Sequence, residues 1–202
     1  RGQGYGLAIW QAALDYLEGR NVGLDGVLAQ QDNYIKSGFT LAHRNIRYAG
    51  VGRGESGDSS CVPLADIPIE AVFDYGHRLF PEVRSQFTQC WITRPGSHAV
   101  GLMQGQGLAG YGVLRPCQSG YKIGPLFADG DEIARQLFQT LVAKVEVGAP
   151  VYLDVPEVNA EAVALAEQYG MTPVFETARM YTQKAPELAL ERIFGVTTFE
   201  LG

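Results

Sequence analysis

Arg1-Gly2-Gln3-Gly4-Tyr5-Gly6 opens the chain with three glycines and a guanidinium directly ahead of an apolar-periodic stretch. Glycine lets the backbone approach a ligand closely, and the free N–H groups that begin a helix point at whatever lies there. A diphosphate is the natural occupant, with Arg1 adding a charge-assisted contact; the alternative reading of the same six residues is a plain glycine turn. Other reactive side chains are dispersed. Cys90, Cys117 and His98 would offer a nucleophile and a base, but no motif surrounds them, and the expectation is buried cysteine and a histidine in a surface loop. Asp74, Glu82, Asp154 and Glu157 would attract an amine if they met in one acidic pocket, a solvated face being the default. His77 and His43 read as structural or solvated, and Trp91, Tyr111, Tyr121 and Phe127 as core.

The elements that must position these groups follow from periodicity. Leu7, Trp10, Leu14 and Leu17 predict an amphipathic helix over 7–18, ended by Gly19. A brief strand at 21–24, a helix over 27–36 stopping at Gly38, and a strand over 39–50 come next. Residues 51–66 are rich in glycine, serine and charge and read as a linker. Beyond it the pattern predicts helices over 68–80 and about 81–88, then strands near 98–104, 107–115 and 121–127. A helix over 131–145, a strand over 150–155 and a helix over 159–169 capped by Asn159 are followed by strands over 172–182 and 194–201.

An internal repeat runs through this order. Val22-Gly23-Leu24-Asp25, a helix, Gly38-Phe39-Thr40 and then Tyr48 parallel Val151-Tyr152-Leu153-Asp154, a helix, Gly170-Met171-Thr172 and then Tyr181. The second copy belongs to a whole unit and the first to the back half of one. A phosphate-binding loop needs a strand ahead of it and none precedes Arg1, so the chain reads as part of a longer protein.

The opening hexamer resembles the Gln/Arg-x-x-Gly-x-Gly/Ala motif of the GNAT N-acetyltransferases, and Tyr34-Ile35-Lys36-Ser37-Gly38-Phe39 resembles that superfamily's second signature, a tyrosine four residues before Gly-Phe. The stretches Ile123–Asp129, Tyr152–Pro156 and Ile193–Glu200 are similar to the C-terminal domain of its two-domain, YitH-type branch. This resemblance implies an α/β fold of mixed-sheet type with tandem GNAT-like units. Residues 1–50 would be the incomplete first unit, 51–66 the linker and 67–202 a second, degenerate unit. It implies acetyl transfer from acetyl-CoA to a small-molecule or peptide amine by direct attack. Arg1, Gly2, Gln3, Gly4, Tyr5 and Gly6 would hold the CoA diphosphate, and Tyr34 would act as general acid toward the leaving thiolate. No metal is expected, and the general base is not identifiable.

Two departures mark the second unit. Asp129, Asp131 and Glu132 stand where its glycine loop should be and would repel a diphosphate, and Ala166 stands where the first copy has Tyr34. The second unit is therefore not expected to bind CoA in the standard manner. The rival reading makes it a binding or regulatory module that covers the acceptor site or mediates dimerisation, the chain alone being inactive.

Bulk composition narrows the partners. A net charge of −6 and a pI of about 5.1 disfavour nucleic acid. No apolar run reaches bilayer length. Three widely spaced cysteines fit a reducing cytoplasm better than a disulfide framework or a zinc site. Exposed strand edges would favour a homo-oligomer.

Overall fold

The computed structural model describes residues 4–54, 56–58 and 60–200. Its elements in chain order are α1 (Tyr5–Tyr16), β1 (Gly23–Val27), α2 (Gln31–Lys36), β2 (Thr40–Val51), β3 (Cys61–Pro63), α3 (Ile69–His77), α4 (Ser85–Ile92), β4 (His98–Gln104), β5 (Gly107–Pro116), β6 (Tyr121–Ala128), α5 (Asp131–Val142), β7 (Pro150–Pro156), α6 (Ala160–Gln168), β8 (Thr172–Tyr181) and β9 (Ile193–Gly195). The mixed α/β fold expected from the sequence is formed. All nine strands join one sheet in the order β1-β8-β2-β7-β6-β5-β4-β3, with β9 paired to β6. Among the described strands β6 and β7 are the pair that runs parallel.

Alternation sends each strand's side chains to opposite faces. In β6, Leu126 and Ala128 pack with Leu137, Phe138 and Leu141 of α5. Phe127 between them packs with Val72 and Tyr75 of α3. A separate cluster of Phe39, Ala178 and Met180 takes in Trp10 and Leu14 of α1 and Tyr34 of α2. The cap on α6 is as expected, Asn159 Oδ1 accepting from Ala162 N at 3.0 Å.

Several elements differ from the sequence expectations. The helix expected over 27–36 begins as a 3₁₀ turn at Leu28–Gln30, because Val27 is still extended at the end of β1. The expected linker ends in β3 and a 3₁₀ turn, Leu64–Asp66, whose Leu64 is buried. Pro81–Arg84 form a loop, and the helix placed there starts at Ser85. The last strand stops at Gly195; Val196, Thr197 and Phe199 are buried without strand pairing.

The two copies of the repeat exchange strands. β8, from the second copy, lies between β1 and β2 of the first, while β2 lies between β8 and β7 of the second. Every contact in this four-strand block is antiparallel. A pseudo-two-fold axis between β2 and β8 thus carries β1 onto β7. Arg47 stands seven residues after Thr40, and Arg179 seven after Thr172. Their partners obey the same symmetry: Asp25 faces Arg179 across β1 and β8, and Asp154 faces Arg47 across β7 and β2.

Candidate functional site

The helix that follows the glycine hexamer starts where the motif ends. Gly4 takes a left-handed conformation (φ 74°), α1 begins at Tyr5, and the glycine at its N-cap brings no capping side chain. That geometry needs glycine and leaves the leading N–H groups available to an anion. Tyr5 and Gly6 are exposed there. Arg1, Gly2 and Gln3 lie outside the described residues.

Tyr34 is carried by α2 onto β1. A Cβ at Gly26 would fall 2.3 and 2.6 Å from the tyrosine ring, so only glycine admits the ring at that point. Trp10 holds the ring from the α1 side, with centroids 5.7 Å apart, and its Nε1 donates to Ser37 Oγ at 3.1 Å. Among the described residues, β1 pairs along one edge only, to β8.

The opposite face of β1 bears a polar row. Asp25, Arg179 and His43 sit side by side on β1, β8 and β2. Asp25 is buried: its Oδ2 accepts from Arg179 NH1 at 2.6 Å, and its Oδ1 accepts from Asn45 Nδ2 at 2.7 Å and Thr177 Oγ1 at 3.1 Å. Burial, followed by the Arg179 charge, pushes the His43 imidazole below its ordinary value, against the pull of Asp25 and Glu157. His43 is therefore neutral at pH 7.

His43, Asn45, Arg179 and Tyr181 floor a cavity of about 210 Å³. Its other walls come from beyond residue 66, from the Phe80–Arg84 loop and from Pro186, Leu188, Leu190 and Ile193. Sequence reasoning set His43 aside because an isolated histidine in a strand carries no motif. The signal lay in the repeat, which put Asp25 in register with Asp154 but was not extended to Arg47 and Arg179.

The symmetry-related place in the second unit is built differently. Asp154, wholly buried, accepts from Arg47 Nε at 2.7 Å and NH2 at 2.9 Å, and from Lys122 Nζ. Burial pushes the Lys122 ammonium below the usual lysine range, against the attraction of Asp154. β6 and β7 pair only through Ile123 and Leu153 and then part. Here β9 enters instead, pairing Gly195 with Leu126, while Val196 N donates to Asp154 O at 2.9 Å. At the start of α5 the acidic residues are engaged: Asp129 accepts from Tyr75 Oη at 2.7 Å and pairs with Arg192, and Glu132 pairs with Arg135.

The remaining candidates are not brought together. Asp74 and Glu82 are exposed, Asp154 is committed to its cations, and Glu157 accepts from Arg44 N at 2.9 Å, so no single acidic pocket forms from these four. Cys90 is exposed and Cys117 half-buried, not buried as expected, and Cys61 is half-buried. His98 begins β4 and is exposed. Tyr111 and Phe127 are core, whereas Trp91 and Tyr121 are half-buried. Among the described residues no group of His, Cys, Asp or Glu could hold a metal ion. No helix there is long and apolar enough to cross a membrane.

The model of the acetyltransferase (GNAT) domain matches residues 72–195, more than half of the chain. The chain belongs to this GNAT family. The matched segment is the half with the filled cleft. Holothin acyltransferase of Pseudoalteromonas sp. (strain SANK 73390) is 28% identical over 203 residues, covering 100% of this chain and 69% of that protein. A Pyrococcus horikoshii protein classed with the acetyltransferases superposes with a TM-score of 0.82 at 22% identity, over 100% of this chain and 68% of the other. A tandem GNAT protein from the clavulanic acid biosynthesis pathway superposes with a TM-score of 0.57 at 15% identity, over 92% and 72% of the two chains. GNAT domains transfer acyl groups from acyl-CoA, and the chain is accordingly an acyltransferase.

Proposed function

We propose that this GNAT chain transfers an acetyl group from acetyl-CoA to an amine by direct attack, with the donor on the first copy of the repeat. In this reading residues 1–50 are the donor-binding unit, 51–66 the connection and 67–202 the second unit, the organisation of the YitH-type branch. The first turn of α1, opened by Arg1 to Gly6, takes the diphosphate, and the edge of β1 takes the pantetheine arm. The amine nitrogen attacks the thioester carbonyl and gives up one proton to solvent; the C–S bond breaks, and Tyr34 gives a proton to the thiolate and takes one back from solvent.

The observation that carries this reading is the seat of Tyr34. Its ring rests on Gly26 at a strand that pairs along one edge among the described residues, beside a helix start whose N-cap is a glycine and so brings no capping side chain of its own. The second copy differs at each point: it has Ala166 for the tyrosine and β9 in the cleft, and α5, likewise capped by a glycine, carries Asp131 and Glu132 in its first turn. The relative named holothin acyltransferase supports a small-molecule acceptor. Three free cysteines are in keeping with a cytoplasmic setting.

Tyr34→Phe tests the assignment. Turnover in a thiol-release assay should fall at least tenfold while acetyl-CoA affinity stays within twofold. Unchanged turnover would remove Tyr34 from the mechanism.

The reading of the second unit as an acceptor-site cover has its own support. The loop Phe80–Arg84 and the segment from Pro186 to Ile193 close the cavity over the first unit's polar row. Donor binding and acceptor enclosure are then divided between the two units.

A further inference from the structure

We propose that the cavity floored by His43 and Asn45 is the acceptor seat, and that it selects a compact, uncharged, planar amine of the aryl or heteroaryl class over alkylammonium acceptors. The inference rests on the acyl-transfer reading above and adds the site and class of the acceptor.

Asn45 is the first support. It is 2% exposed and lines the cavity. Its orientation is dictated by Asp25: the amide must turn Nδ2 toward the carboxylate, which can only accept. That leaves Oδ1 buried without a hydrogen bond of normal geometry, acted on by the His43 ring, which the contact draws toward its protonated form. A buried acceptor so poorly satisfied is costly, and an incoming N–H relieves the cost. His43 stands two residues away on the same strand and face. A neutral imidazole adds one acceptor and one donor.

The second support is charge and shape. The charged groups lining the cavity are Arg179 from β8, Arg84 and Glu82 from the α3–α4 loop; Asp25 from β1 and Glu157 beyond β7 act on His43 from outside it. Asp25 is already matched to Arg179, and the other charged groups of the lining, Arg84 and Glu82, are equal in number, so an ammonium entering the largely apolar lining loses its hydration with no surplus carboxylate to replace it. An alkylamine with a pKa near that of lysine, roughly 10, arrives charged, whereas an arylamine arrives neutral. Phe80, Phe127, Leu188, Leu190 and Val196 supply apolar wall. About 210 Å³ is the space of roughly seven waters, enough for one substituted ring.

The test is binding without the donor. 4-Methylaniline titrated into the protein should shift the His43 ring resonance saturably in ¹H–¹³C NMR, the three histidine signals being assigned with His43→Gln. Hexylamine at pH 7 should bind at least tenfold more weakly. Asn45→Leu should weaken 4-methylaniline at least tenfold. Leu188→Trp fills the cavity from its wall without touching the polar row; it should abolish the shift and leave acetyl-CoA affinity unchanged. An unshifted His43 signal, or full binding in Leu188→Trp, overturns the assignment of the cavity. Hexylamine binding as tightly as 4-methylaniline overturns the acceptor class. Arylamine binding at His43 without acetyl-CoA binding or thiol release would leave the cavity a ligand site and count against the acyl-transfer reading, so the two failures are distinguishable.

Discussion

At the scale of single residues, the two Asp–Arg pairs show how a sheet can hold a charge in its interior. Asp25 has 1% of its side chain exposed, and its two oxygens receive three donors from β2 and β8. Removing one partner from such a pair strands the other, so Asp25→Ala should cost about 3 kcal/mol in urea unfolding. A loss below 1 kcal/mol would mean the pair is far more solvated than its burial implies. His43 gives a pH signature with a definite sign. Its native pKa lies below the ordinary 6.5, so the unfolded chain takes up the proton first. The stability tied to its neutral form is complete above pH 6.5 and is lost as pH falls through the native value. The urea midpoint should therefore drop between pH 7 and 5, and drop less in His43→Gln; equal drops would exclude His43 as the cause.

Among elements, β9 decides whether the gap between β6 and β7 stands open. It lies in the gap where β6 and β7 part and uses the backbone groups an amide-containing ligand would need. Its fit depends on two glycines. A Cβ at Gly195 would fall 2.7 Å from Leu153 Cδ1, and one at Gly124 would fall 2.7 Å from the carbonyl oxygens of both Val196 and Thr197. Backbone oxygens cannot swing aside, so Gly124→Ala should cost about 1–3 kcal/mol by overpacking, measurable as a lowered thermal midpoint. Because β9 fills the cleft and Asp131 and Glu132 occupy the first turn of α5, calorimetric titration with acetyl-CoA should give at most one site per chain. A stoichiometry of two would refute the account of the second unit.

For the molecule as a whole, strand exchange makes the units interdependent. β2 is hydrogen-bonded to β7 and β8, and β8 to β1 and β2, so neither copy of the repeat completes its sheet alone. Residues 60–202 on their own would leave β7 and β8 with open edges where β2 belongs, and should aggregate or stay unfolded. The intact chain should unfold in a single transition monitored by tryptophan fluorescence and circular dichroism together. Two separated transitions would show that the units fold independently. Proteolytic cleavage between 53 and 60 should, by contrast, leave both pieces associated, since the sheet holds them without the connection.

Local pattern was enough to make the elements legible. Apolar spacing predicted α1, α5 and α6, alternation predicted β4 to β8, and Asn159 marked a cap, because each depends on neighbours a few residues away. The glycine hexamer, Tyr34 and the departures at Asp129–Glu132 and Ala166 were likewise readable in order, and with them the family. The strand exchange was not, nor were the Phe80–Arg84 roof over the first unit's cavity and β9 in the cleft. These rest on pairings between residues more than a hundred positions apart for the exchanged strands, and on contacts between segments with no shared pattern for the rest. The repeat aligned Asp25 with Asp154, but that each aspartate meets the other copy's arginine was decided only when β2 and β8 crossed. His43 and Asn45 came to line one cavity for the same reason. Nothing in their own neighbourhood along the chain distinguishes them, and tertiary packing alone sets them against the Phe80–Arg84 loop and the segment from Pro186 to Ile193.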